Sequence, residues 1–61
     1  NISMYDEYES FVHKVAESLY KDVINNVYPP DEVVDSIRIL ILYYEKIEDY
    51  EKCDVLKKIK Q

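Results

Sequence analysis

The residues best equipped for chemistry lie in the first third of the chain, where Asp6, His13 and Glu17 share a narrow strip with Glu9 one turn before His13. On a helix, residues four apart stand on one face, so Glu9, His13 and Glu17 would bring two carboxylates to one imidazole. The set is incomplete as a metal site. It lacks the Glu-x-x-His spacing of dimetal carboxylate bundles, and with a single His in the chain two subunits would have to meet on the strip. Lys14 and Lys21 beside it suit a solvated face better. Cys53 is the only thiol, His13 is the only base that could activate it, and no Gly-rich turn is present to stabilise an oxyanion. A lone Cys also excludes an intramolecular disulfide and offers no structural zinc set, so Cys53 reads as a small packed core side chain. Paired carboxylates of the glycosidase kind need a concave site between them, which short helices do not provide. These residues predict no catalytic group, no metal and no cofactor, hence a non-enzymatic protein.

The elements that position these residues are constrained first by what is missing. Sixty-one residues contain no Gly and no Trp but seven Tyr. Without Gly a phosphate-cradling or dinucleotide loop is excluded, and tight primed hairpin turns become costly, which disfavours a many-turned β-fold. A chain of this length makes one domain, 1–61, and removes only about 60% of its unfolded surface from water. The longest apolar run, Ile39 to Tyr44, is six residues, far short of the roughly 20 that span a bilayer. No signal or transit pattern stands out. Together with the single Cys, this predicts a cytoplasmic protein.

Spacing of apolar residues predicts an all-α fold. Met4, Tyr5, Tyr8, Phe11, Val12, Val15, Ala16, Leu19, Tyr20, Val23 and Val27 cover about half the circumference of one amphipathic helix over 4–27. Ser3 is its expected N-cap, and Glu17 and Lys21 form an i,i+4 pair. Pro29 and Pro30 stop that helix, and Pro30 suits the first turn of the next, over 30–47, whose start is loaded with Asp31, Glu32 and Asp35. Within it Val33, Ile37, Leu40, Tyr44 and Ile47 form a seam for helix 1, while Ile39, Leu42 and Tyr43 lie on the other side, where a folded-back third helix would cover them or a partner chain would. The polar run Glu48, Asp49, Glu51 favours a break, with Asp49 capping a third helix over 49–60 that carries Tyr50, Cys53, Leu56 and Ile59. The expected architecture is a small three-helix bundle. An unbroken helix from 30 onward, giving a two-helix antiparallel hairpin that dimerises, is the alternative.

Tyr43, Tyr44, Glu45, Lys46, Ile47, Glu48, Asp49, Tyr50, Glu51, Lys52 and Cys53 resemble the turn of a tetratricopeptide repeat, where a Tyr near the end of one helix is followed by an Asp-Tyr and a small residue in the next. The likeness covers residues 34–60, with Glu48 in place of the turn Gly, Ile41 in place of a small residue and Lys57 in place of an aromatic. The segment from Asp49 to Ile59 also looks like the second half of the helical hairpin at the end of the excision-repair proteins UvrB and UvrC. Either resemblance implies a helical hairpin and protein binding. The pattern does not recur, and a single solenoid unit cannot bury its own face.

Two function classes follow. Tyr brings large contact area at little entropic cost, so surplus Tyr beside exposed aliphatics predicts a partner-binding surface of Ile39, Leu42, Tyr43 and Tyr50, serving a homodimer or a larger protein. Alternatively, the charge decides: thirteen acids against eight bases give a net charge of −5, which repels phosphates and disfavours direct nucleic-acid binding. Residues 1–35 hold eight acids and two lysines, so Asp6, Glu17, Asp31 and Glu32 form a candidate acidic face that would occlude a basic nucleic-acid site on an enzyme. The short, Ile-, Lys- and Tyr-rich chain resembles small phage-encoded inhibitors, which implies action in the host cytoplasm.

Overall fold

A computed structural model describes residues 4–60, without the side chains of Tyr5 and Lys60. Three helices follow one another: α1 (Met4–Ile24), α2 (Pro30–Lys46) and α3 (Tyr50–Lys60). The chain is an all-α three-helix bundle, so the unbroken second helix is excluded. Among the described residues there is no strand and no helix long and apolar enough to cross a membrane. The expected Ser3 cap lies outside the described residues.

Apolar periodicity explains why α2 is central. Val33, Ile37, Leu40 and Tyr44 recur at four, three and four and are all buried, meeting Ala16 and Val23 of α1 and Cys53 and Leu56 of α3. Ile47, the last residue of the predicted seam, falls beyond the helix and stays exposed. α1 and α3 each pack chiefly on α2 and lie antiparallel to it, leaving a body 43 × 20 × 16 Å across.

Both corners are made without glycine. α1 ends three residues earlier than the apolar pattern implies, because Asn26 takes φ 58° and reverses the chain. The Val27 N–H then donates to the Asp22 carbonyl at 3.0 Å, and the Asn26 N–H to that of Val23 at 3.2 Å. This pair of bonds is a Schellman motif, which satisfies carbonyls that the helix end would otherwise orphan. The second corner repeats it: Glu48 has φ 63°, Asp49 N–H donates to the Tyr44 carbonyl at 2.8 Å, and Glu48 N–H to that of Glu45 at 3.1 Å. Asn tolerates the left-handed region well, whereas Glu carries the full Cβ clash.

At the start of α2, Pro29 is extended (φ −60°, ψ 150°) and offers no side-chain cap, while Pro30 occupies the first turn as its missing N–H allows. α3 is capped as expected: Asp49 Oδ1 accepts the Lys52 N–H at 3.4 Å, three residues on.

Glu48→Gly should raise the folding stability by about 1 kcal/mol, and Glu48→Val should lower it, because only the αL backbone distinguishes the two. Urea unfolding followed by circular dichroism measures both, and equal midpoints for the two variants would contradict a left-handed Glu48.

Candidate interaction surface

Two residues of the α1 strip that looks solvated in sequence, His13 and Glu17, reach α2. Glu17 Oε2 accepts the Tyr44 hydroxyl at 2.7 Å, and Glu17 Oε1 lies 3.5 Å from His13 Nε2. The other imidazole nitrogen, Nδ1, stands 2.8 Å from the Tyr43 hydroxyl. The imidazole thus bridges the Glu17 carboxylate and the Tyr43 hydroxyl. Glu17 therefore turns to Tyr44 and His13 rather than to Lys21, its expected pair.

Aromatic geometry extends the seam to all three helices. Tyr44 is fully buried, and its ring meets Tyr20 edge-on at 5.5 Å and Tyr43 at 5.2 Å. Lys52 Nζ of α3 lies 5.6 Å from the Tyr44 ring and 5.7 Å from that of Tyr20, within cation–π range. Asp49 Oδ2 holds the same ammonium at 2.9 Å. Burial, and then the hydrogen bond to Glu17, push the Tyr44 hydroxyl well above the ordinary tyrosine range. Burial beside Glu17 raises Tyr43 in the same direction. The Lys52 side chain holds Asp49 below the usual carboxylate range, and Asp49 in turn raises Lys52.

This geometry bears on the chemistry considered for these residues. His13 uses both ring nitrogens within the bundle and is not poised beside Cys53. The Cys53 thiol is buried and directs its proton toward the Ile41 carbonyl at 3.6 Å, and burial, followed by Glu45, pushes its pKa up. A nucleophilic Cys needs the opposite shift. Among the described residues, no three His, Cys, Asp or Glu side chains come together as a metal site.

Of the residues expected to meet a partner, Ile39, Leu42 and Tyr50 are 62%, 63% and 60% exposed. Tyr43 departs from that set: it is partly buried against α1 through His13. The third helix does not cover Ile39 and Leu42 as expected: α3 packs on the Ile41 side of α2, where Cys53 and Leu56 reach the core, and leaves both open. The four acids do not make one continuous face. Asp6 lies near the free end of α1, Asp31 and Glu32 open α2 beside the far end of α1, about 27 Å away along the helix, and Glu17 faces inward between them.

Sequence periodicity missed a second apolar surface. Met4, Tyr8, Phe11 and Val15 belong to the apolar arc predicted for the first helix but are 85%, 66%, 65% and 50% exposed. They recur at four, three and four, about 100° round α1 from the buried Ala16 and Val23. The wide apolar arc is thus two stripes, one buried and one exposed, a division visible in the sequence only once the position of α2 is known. At the opposite end, Val23, Val27, Pro29, Val34, Ile37 and Ile59 line part of a groove of about 620 Å³.

No family model, curated protein or solved structure matches the chain.

Replacing Tyr44 with Phe keeps the ring contacts and removes only the bond to Glu17, so it should cost about 1 kcal/mol near neutrality. Because folding raises the Tyr44 pKa, the stability tied to its proton is present below about pH 10 and is lost as pH rises beyond that. Thermal melts across alkaline pH should therefore show a destabilisation that Tyr44→Phe diminishes. Asp49 behaves oppositely: its pKa is lowered in the fold, so its contribution is present above about pH 4 and lost on acidification. Asp49→Asn should flatten the fall in melting temperature between neutral and acid pH, and an unchanged slope would contradict the Asp49–Lys52 pairing.

Proposed function

We propose that this protein is a small non-enzymatic interaction module that binds another protein through the outer surface of α2 and the start of α3, using Ile39, Leu42 and Tyr50. The observation that supports this reading is that Ile39 and Leu42 remain exposed in the middle of α2, although its other side is fully packed. Ile39 and Leu42, three residues apart on one face of α2 and flanked by the exposed Asp35, Arg38, Glu45 and Lys46, have the make-up of an apolar contact with a polar edge, and Tyr50 is exposed at the start of α3. The hairpin resemblance of residues 34–60 carries the same implication of protein binding.

An acidic inhibitor that covers a basic nucleic-acid site is the second reading. The exposed Asp6, Asp31 and Glu32 support it through their charge, while Glu17 is engaged with Tyr44. The two readings part on salt and on residue. Pull-downs from the native host, with wild type, Ile39→Ser/Leu42→Ser and Asp6→Lys/Asp31→Lys/Glu32→Lys as baits, separate them. The interaction-module reading expects a captured protein that survives raised salt and the charge reversals but is lost with the α2 double variant. Loss with the charge reversals, together with strong salt sensitivity, would favour the inhibitor.

A further inference from the structure

We infer that the exposed stripe of α1 is a self-association surface, on which a second copy of this chain packs antiparallel, with Tyr8 of one copy across from Phe11 of the other and Met4 across from Val15. The stripe is on a different helix from Ile39 and Leu42, so this inference does not depend on the function proposed for α2.

Three observations define the occupant. The first is spacing: Met4, Tyr8, Phe11 and Val15 alternate four and three, the seam of a two-helix contact, and all four are at least half exposed. The second is charge. Glu7 and Lys14 are both exposed and flank the same edge of the stripe, each one residue before a stripe position. When two copies of α1 run antiparallel in the stated register, that edge of one helix meets the same edge of the other. Glu7 then faces Lys14 of the second copy, and the two-fold axis repeats the pair. A parallel pairing would instead place Glu7 against Val12 and Lys14 against Leu19, so the charges select the antiparallel arrangement. It also sets the acid-rich first turns of α1, with Asp6, Glu7 and Glu9, beside the stretch of the second copy that carries Lys14, and opposes the two helix dipoles. The third is area. The exposed parts of the four stripe side chains amount to about 500 Å² per copy, or about 1,000 Å² for the pair, at the lower bound of a specific interface. The association is therefore reversible and weak, with α1 the helix in contact between copies.

Sedimentation velocity of the full chain over a range of concentrations tests this. Wild type should shift from monomer to dimer, and Phe11→Glu should remain monomeric throughout. Glu7→Lys and Lys14→Glu should each weaken the dimer by about fivefold or more, because each turns two attractive pairs into repulsive ones, and the double variant should recover to within about twofold of wild type. Circular dichroism establishes that the variants stay helical, as expected for exposed positions. A wild type that stays monomeric up to about millimolar concentration, where even weak contacts populate a dimer, overturns the inference. So does a dimer untouched by Phe11→Glu, and a double variant whose loss is the sum of the single ones overturns the antiparallel register.

Discussion

The bundle depends on burying one tyrosine with its hydroxyl satisfied. Tyr44 has no exposed surface, and its ring touches Tyr20 of α1 and the Lys52 ammonium of α3, while Glu17 accepts its hydroxyl. A buried phenol without an acceptor would cost more than its bond supplies, so Glu17 has to face inward, which draws His13 with it. Lys52 has to lie over the rings, and Asp49 both holds that ammonium and caps α3. One side chain in α2 thus fixes the rotation of α1 and the start of α3. The remaining core residues are aliphatic, with Ala16 and Cys53, and give area without direction.

Turning a glycine-free chain twice within this length imposes the second constraint. Asn26 and Glu48 both enter the left-handed region, and each corner recovers the helix-end carbonyls through the same two backbone bonds. The second corner is fastened on both sides, because Asp49 donates its N–H to the Tyr44 carbonyl and accepts the Lys52 N–H. That double hold offsets the strain at Glu48. It also places the chain reversal at Glu48, one turn after Tyr44, so that α3 begins where Lys52 can reach the ring.

Much of this is legible in the residues. The Pro pair, the polar run at Glu48 and the four-three seam of α2 locate the helices and four core positions to within a few residues. The roles of Tyr43 and Glu17 are not legible: Tyr43 lies between the seam and Ile39, where periodicity cannot separate contact from solvent, and Glu17 lies about 60° outside the apolar arc of α1, where periodicity reads solvent. The same limit hides the split in α1. An arc spanning half a helix reads as one core face, yet with only two short helices for cover, Met4, Tyr8, Phe11 and Val15 are left outside. Ile39 and Leu42 lie away from the seam, where a folded-back third helix would be expected to cover them, yet α3 packs on the Ile41 side and leaves both exposed, a choice of rotation that periodicity does not contain.

By itself the sequence determined that this protein is built from helices, where they start and stop, and that it carries more apolar surface than so short a chain can bury. Those are local or additive properties: periodicity, turn chemistry and the ratio of surface to volume. Tertiary structure alone decided which polar residues are internal and which apolar ones are not. A side chain at the boundary of a helix face has no burial of its own until a neighbour arrives at a definite rotation, and here that rotation is set by the bond between Glu17 and Tyr44, 27 residues apart in the chain.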